Sequence, residues 1–266
     1  MKSILLEPRK VTTVKNVVVL GSGRSGTSMV TGTLAGKGFY MGSGLYRPSV
    51  TNPKGYFESW DINGINEDLL AMVIPPRPRI LGKWFFRKRP QLGQRWLARV
   101  PLGTTIPCSS QIVERIKRVV QNQPFCIKDP RFSYTLPVWR PFLKNVVFLC
   151  VFRSPVSTVS SMVKARTVMP YLRSLSIDDK LALEVWSLMY RHILDIHRHE
   201  GDWLFLHYDQ VLGGEGLDRI EKFVGAKVNR DFPDPALKRS VPRKTISKEA
   251  RKIYEKLCAL AGYAEE

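Results

Sequence analysis

The chain has 266 residues, enough for one large domain or two small ones, and its 42 Lys and Arg residues against 23 acidic residues give a net charge of +19. Such an excess favours an anionic partner: a polyphosphorylated ligand, an acidic glycan, nucleic acid or a membrane surface. The composition excludes a disulfide scaffold or a zinc site, since the four Cys are scattered without a CxxC and the four His have no ligand spacing.

The hydropathy pattern predicts where the protein resides. No apolar run approaches the ~18 residues of a membrane span, and the first ten residues are too weakly apolar for a signal peptide. Two of the cysteines lie in apolar runs, which predicts buried, reduced thiols. We therefore expect a soluble, cytoplasmic protein.

Apolar runs, the first of them rich in β-branched residues, alternate with helical patterns along the chain. The predicted strands are residues 14–20, 125–129, 145–152 and 203–208. The predicted helices are residues 26–37, 111–121, about 135–143, 155–166, 178–199, 216–224 and a last one that follows Ser247 as N-cap and ends before Gly262. This alternation predicts a single α/β domain with three layers, α/β/α, around a central parallel sheet.

One segment interrupts the alternation. Residues 69–113 contain no acidic residue, and positive charges are interleaved there with aromatic rings. The basic aromatic segment, residues 77–99, contains Arg77, Arg79, Lys83, Arg87, Lys88, Arg89, Arg95 and Arg99 together with Trp84, Phe85, Phe86 and Trp96. Several prolines break it up, so we predict an insertion or lid at about residues 75–105.

The sequence VVVLGSGRSGTSMV, residues 17–30, places a glycine loop between the first strand and the first helix. Such a loop presents backbone amides to an anion. A dinucleotide site requires an acidic residue about 20 positions later, but the first acid is Glu58. A Walker loop requires a lysine where this chain has Thr27, and a magnesium-binding acid where the strand at 145–152 is followed by Arg153.

The remaining features resemble the PAPS-dependent sulfotransferases, in a bacterial branch that acts on carbohydrates and small molecules. The loop Arg24-Ser25-Gly26-Thr27-Ser28 is similar to the family's first motif, and RSPVSTVSS, with Arg153 followed eight positions later by Ser161, is similar to its second. Three further blocks resemble the family: NPKGYFES at 52–59, KDPRF at 128–132 and LHYDQVL at 206–212. The resemblance covers about residues 15–225.

The resemblance implies a P-loop-like sulfotransferase fold and assigns roles in binding the donor. Arg24 and the loop from Ser25 to Ser28 would hold the 5′-phosphosulfate of PAPS. Arg153 and Ser161 would hold its 3′-phosphate, and Tyr208 would meet the adenine. From their position in the chain alone, rather than from the resemblance, we expect Arg239, Arg243 or Lys244 to add positive charge near the 3′-phosphate.

It also implies catalytic roles. Lys128, at the end of a strand, would be a second cation at the leaving oxygen, with Asp129 orienting Lys128 or Arg131. The histidine base of cytosolic aryl sulfotransferases is absent, because Pro130 stands in its place. Glu58 is the predicted base, with Asp61, which would cap the following helix, and Glu67 as alternatives.

We thus expect metal-independent, in-line transfer of a sulfuryl group from PAPS to a hydroxyl or amine of a carbohydrate or small-molecule acceptor such as a secondary metabolite, with PAP as product. Two alternatives stay open: a P-loop nucleotide kinase or NTPase, and a non-catalytic PAP- or nucleic-acid-binding protein, although no known nucleic-acid module is present. The basic aromatic segment would recognise an acidic acceptor or close over PAPS, and a membrane-surface role for it also stays open.

Overall fold

Four parallel strands form the centre of the computed structural model, which describes residues 14–78, 81–238 and 245–265. They are β1 Asn16–Leu20, β2 Cys126–Lys128, β3 Val146–Phe152 and β4 Asp202–His207. The sheet order is β2-β1-β3-β4, and Val18 of β1 lies between Ile127 and Phe148 of its neighbours. The predicted parallel sheet is confirmed, with each strand where an apolar run predicted it.

Helices cover both faces of this sheet. In chain order they are α1 Thr27–Leu34, α2 Trp60–Ala71, α3 Ser110–Val120, α4 Phe132–Trp139, α5 Pro155–Val168, α6 Asp179–Asp195, α7 Tyr208–Leu212, α8 Glu215–Val224 and α9 Lys248–Ala261. The last helix is capped as predicted, with the Ser247 hydroxyl accepting from the amide of Ala250 and Gly262 at its C-terminal end. The predicted helix at 178–199 instead ends at Asp195, and residues 197–199 form a separate 3-10 turn. None of the described helices is both long enough and apolar enough to cross a membrane.

The alternation of side chains along β1 sets the three layers. Val17 and Val19 pack on one face, against residues of α1 and α8. Val18 and Leu20 pack on the other face, in a core supplied by α2, α3, α4, α6 and α9. The predicted α/β/α arrangement follows from this division of a single buried strand between two cores.

The basic aromatic segment contains no strand in its described part, as predicted, but it is not one uniform insertion. Residues 96–98 and Val100 are buried in a core shared with α5 and α6. By contrast, Trp84 and Phe85 are 80% and 79% exposed. Within the described part of the segment, the large exposed rings thus lie before the residues that join the packed core.

Two histidines and two cysteines are packing residues. His192 and His197 are buried, with Nε2 at 2.9 Å from the Val100 carbonyl and 3.0 Å from the Ser133 carbonyl, respectively. The predicted burial of two cysteines is confirmed. Cys126 and Cys150 are buried free cysteines, and burial raises the pKa of both thiols.

The glycine loop packs closely on the sheet at its first residue, Gly21. Its φ is +139°, and an added Cβ would lie 2.2 Å from the Val151 carbonyl oxygen. Gly36 also has a positive φ, +71°, but a Cβ there would meet nothing within 4 Å. We expect Gly36→Ala to cost about 1–2 kcal/mol for backbone conformation alone, and Gly21→Ala to cost at least about 2 kcal/mol more from steric overlap. Urea unfolding measures both, and equal losses would contradict the close approach.

Candidate active site

The carboxyl ends of all four strands meet at one edge of the sheet, beside a cavity of about 470 Å³. Each strand delivers one predicted residue or loop to that cavity: β1 the glycine loop, β2 Lys128, β3 Arg153 and β4 Tyr208. Ligands of open α/β sheets bind at this edge. The cavity is therefore the candidate active site.

The glycine loop is held by the end of β3. The Ser25 hydroxyl donates to the carbonyls of Ser22 (2.7 Å) and Val151 (3.0 Å), and the Tyr190 hydroxyl donates to the same Val151 carbonyl (2.8 Å). The side chain of Ser25 is thus committed to the loop's own structure. Gly26, with a φ of 101°, is the N-cap of α1, and no side chain caps the amides there. A helix N-terminus of this kind favours an anion.

Arg24 lies in this loop in the left-handed conformation, with a φ of 69°. Its Nε donates to the Ser161 hydroxyl at 3.1 Å, and its Nη2 donates to the Thr51 carbonyl at 3.3 Å. The sequence assigned Arg24 and Ser161 to opposite ends of the donor. The two residues instead touch, so the two predicted phosphate sites adjoin each other.

Arg153, Ser161 and Tyr208 form the second predicted site. The Arg153 guanidinium lies over the Tyr208 ring, 4.6 Å from its centroid. The edge of that ring approaches Gly26, where a Cβ would lie 2.6 Å from Tyr208 Cδ2. Burial raises the pKa of Tyr208. With one ring face covered by Arg153, Tyr208 orients this arginine, and its predicted contact with adenine is limited to the remaining surface.

Besides Ser161, helix α5 brings to the cavity polar residues that were not predicted from the sequence. Its cavity-lining residues are Ser157, Ser160, Ser161, Lys164, Ala165 and Val168. The i, i+3, i+4 and i+7 spacing places the hydroxyls and Lys164 on one helix face. A signal was present, since three serines and a lysine follow Arg153 at helical spacing. Arg243, with Arg239 and Lys244, lies outside the described residues.

Lys128 and Glu58, the predicted cation and base, are in direct contact across 70 residues of sequence. Lys128 Nζ donates to Glu58 Oε1 at 2.5 Å, to the Tyr56 carbonyl at 3.0 Å and to the Ser28 hydroxyl at 3.1 Å. The side chain of Lys128 is 2% exposed and that of Glu58 is 17% exposed. All three ammonium protons are therefore directed by the protein, and the pair adjoins the first turn of α1.

The backbone before Glu58 is strained. Phe57 has a φ of 52°, a conformation uncommon for an aromatic residue. Its ring packs edge-on against Phe232, with centroids 5.4 Å apart, and Asn63 Nδ2 donates to the second oxygen of Glu58 at 3.3 Å. The strained residue and these contacts fix the direction of the carboxylate.

The two alternative bases have other partners. Asp61 accepts from Ser59, Ser43 and the amide of Ile62; burial alone would raise its pKa, but these hydrogen bonds hold the pKa below its usual value. The N-cap of α2 is Ser59, so the prediction that Asp61 caps this helix is wrong: Asp61 lies in the first turn and is hydrogen-bonded to the preceding loop. Neither Asp61 nor Glu67 lines the cavity.

Glu67 belongs to a buried ion network beneath the cavity. Its carboxylate pairs with Arg131 (2.5 Å) and Arg95 (2.8 Å) and also accepts from the amide of Gly93 at 2.9 Å. Asp129 pairs with Arg131 at 3.1 Å, one of the two roles expected for it. Burial raises the pKa of Asp129 to about 6, although Arg131 acts in the opposite direction. The network fixes the base of the pocket.

Aromatic rings form much of the remaining cavity wall. Tyr46, Tyr56, Trp96 and Tyr171 line it. Trp96 packs directly on Gly23, since a Cβ added at Gly23 would lie 2.5 Å from the Trp96 ring. Tyr56 lies in the NPKGYFES block, but nothing in the sequence separates Trp96 from the exposed rings of its segment. Of the described part of the basic aromatic segment, only Gly93 and Trp96 reach the cavity.

Four of the described cations of that segment have hydrogen-bonded or ionic partners outside the cavity, and neither Arg87 nor Arg89 lines it. Arg77 donates to the carbonyls of Arg89 and Ser174, Lys88 pairs with Asp178, Arg95 with Glu67 and Arg99 with Glu184. The segment therefore brings no described positive side chain to the cavity. Within the residues described, no group of three or more His, Cys, Asp or Glu is placed to hold a metal ion.

Comparison with known proteins identifies the fold. No protein-family profile matches this sequence, and no curated protein matches it. Among solved structures, the chain is similar to the sulfotransferase domain of the Synechococcus PCC 7002 olefin synthase, with a TM-score of 0.52, 17% identity and coverage of 99% of this chain and 100% of that one. It is also similar to the sulfotransferase domain from the curacin biosynthetic pathway, with a TM-score of 0.53, 15% identity and coverage of 96% and 99%. The chain has the P-loop-like fold of sulfotransferase domains.

Glu67 offers a test of how much the buried ion network contributes to the stability of the protein. Glu67→Gln leaves Arg131 and Arg95 buried without this carboxylate, so we expect a loss of about 3–5 kcal/mol of stability. Glu184→Gln, which breaks the exposed pair with Arg99, should cost less than about 1 kcal/mol. Chemical denaturation of both variants measures the difference. Similar small losses would show that the buried network does not stabilise the pocket.

Proposed function

We propose that this protein is a sulfotransferase that moves a sulfuryl group from PAPS to a hydroxyl or amine of a small-molecule or carbohydrate acceptor, releasing PAP. The observation that carries the proposal is the contact of Glu58, Lys128 and Ser28. It joins a carboxylate, a buried cation and the first turn of a helix that follows a glycine loop. The sulfotransferase fold supports it.

The donor would lie along the strand ends. The amides of the glycine loop and the N-terminus of α1 would receive the 5′-phosphosulfate, and Arg153 with the hydroxyls of α5 would receive the 3′-phosphate. Arg24, now on Ser161, lies at the junction of the two sites. Donor binding would replace its hydrogen bond to Ser161 with bonds to phosphate oxygens.

During the transfer the acceptor loses a proton and the leaving oxygen gains negative charge. One residue lies in position for each of these two changes. As the acceptor oxygen or nitrogen bonds to sulfur, its proton passes to the Glu58 carboxylate. The bond between sulfur and the bridging oxygen breaks, and that oxygen leaves as part of the 5′-phosphate of PAP. Lys128 donates to it as negative charge grows there. Because protein cations meet this charge, the proposed step uses no metal.

The kinase alternative is less well supported by the site. The residue at the Walker lysine position is Thr27, which is buried at the start of α1. The residue after β3 is Arg153 rather than a magnesium-binding acid. The cavity wall also bears on the acceptor: its aromatic rings favour an acceptor that has a ring or an apolar portion.

Donor binding is tested by thermal stability. PAP at about 100 times its Kd should stabilise the protein by about 2.7 kcal/mol with EDTA present. Arg153→Ala should weaken PAP binding by about 10- to 100-fold, the effect of losing a charged hydrogen bond. Arg251→Ala, an exposed arginine on α9, is the matched control and should bind like the parent. Stabilisation by ATP with magnesium, and not by PAP, would reject the proposal in favour of a kinase.

The base assignment is tested by Glu58→Gln, which keeps an acceptor for Lys128 and removes the carboxylate. PAP affinity should stay within about twofold, while kcat for transfer of labelled sulfate to a mixed panel of phenols, alcohols, amines and sugars falls at least about 100-fold. Glu114→Gln on the exposed face of α3 serves as control. Unchanged turnover would remove Glu58 as the base, and equal loss of PAP binding and turnover would assign it to donor binding.

A further inference from the structure

An exposed aromatic turn, residues 81–85, protrudes from the domain. The amides of Trp84 and Phe85 both donate to the Leu81 carbonyl, at 3.1 and 3.0 Å, so the three residues share one turn. Their exposed fractions are 54% for Leu81, 80% for Trp84 and 79% for Phe85. The i, i+3 and i+4 spacing places three large apolar side chains on the same side.

Positive charge follows directly after this turn. Arg87, Lys88 and Arg89 are consecutive, and residues 69–113 contain no acid. Lys88 has one exposed partner, Asp178, at 2.7 Å. Elements that lie in the interface of an anionic bilayer typically combine exposed aromatic and apolar side chains with neighbouring Lys and Arg. The aromatic turn and the residues after it have this composition.

The chain that follows the aromatic turn is hydrogen-bonded to the rim of the cavity. The amide of Ser176 donates to the Arg87 carbonyl at 2.7 Å, and Gln94 Nε2 donates to the Tyr171 carbonyl. Tyr171 and Val168 line the cavity while being 50% and 49% exposed. A surface that receives the turn would therefore face the cavity entrance.

We propose that the exposed aromatic turn docks this protein on an anionic lipid bilayer, with Trp84 and Phe85 inserted at the level of the headgroups and the following cations on the lipid phosphates. Protein interfaces usually bury about 800 Å² per partner, whereas three side chains of this size supply roughly 500 Å². An insertion this small suits a bilayer better than a protein surface. The proposal does not depend on the reaction.

Co-sedimentation with lipid vesicles tests the docking on the full chain. The parent should sediment with phosphatidylcholine vesicles that contain phosphatidylglycerol, and much less with phosphatidylcholine alone or in high salt. The double variant Trp84→Ser/Phe85→Ser should lose at least about tenfold in partition coefficient. Arg87→Gln/Lys88→Gln should weaken binding to the anionic vesicles only.

The control removes two exposed apolar side chains elsewhere, Ile196→Ser/Leu260→Ser, which are 41% and 38% exposed. It should bind vesicles like the parent, and circular dichroism melting should show that every variant folds. A parent that does not sediment, or an aromatic double variant that sediments equally well, overturns the proposal. Self-association that the aromatic variant abolishes, without vesicle binding, also overturns it and assigns the turn to a protein interface.

Discussion

The carbonyl oxygen of Val151, near the end of β3, is the point on which the candidate site is built. It accepts from the hydroxyls of Ser25 and Tyr190, and only a glycine at position 21 lets the chain pass beside it. Since β3 lies at the centre of the sheet and Tyr190 belongs to α6, one oxygen joins the loop, the sheet and a helix of the second layer. A loop held this way has its amides oriented before a ligand arrives, which is what electrostatic stabilisation of a transition state requires.

The Glu58–Lys128 pair depends on that loop through Ser28. An ammonium group that is 2% exposed stays charged at small cost only when its protons are bonded, and here a carboxylate, a carbonyl and a hydroxyl accept all three. In the proposed reaction the same contacts connect the two ends of the transfer. The base loses its negative charge as it gains a proton, while Lys128 keeps its positive charge and turns from Glu58 toward the leaving oxygen, where negative charge grows.

The sequence predicted the parts of the molecule that local chemistry decides. Short apolar runs marked the four strands, and strand ends in a parallel sheet meet at one edge, so Lys128 and Arg153 could be placed near the glycine loop from the sequence alone. The contact of Arg24 with Ser161 and the left-handed Phe57 before Glu58 depend on tertiary packing and left no local signal. The basic aromatic segment shows the same limit: Trp84 and Trp96 look alike in sequence, but only Trp96 has Gly23 and the α5–α6 core to pack against.

Positive charge is unevenly distributed around the cavity, although the chain as a whole carries a net charge of +19. Of the cations that line it, Arg131 is paired with Asp129 and Glu67, Lys54 with Asp234, and Lys128 with Glu58. Among the described carboxylates, none forms an ion pair with Arg153 or Lys164, which flank the hydroxyls of α5. Paired cations add little net field, because each is balanced within a few ångströms. Arg153 and Lys164, with Arg24 on Ser161 beside them, therefore concentrate positive charge where α5 begins and along its polar face. This is the side of the cavity to which the proposed function assigns the 3′-phosphate of the donor.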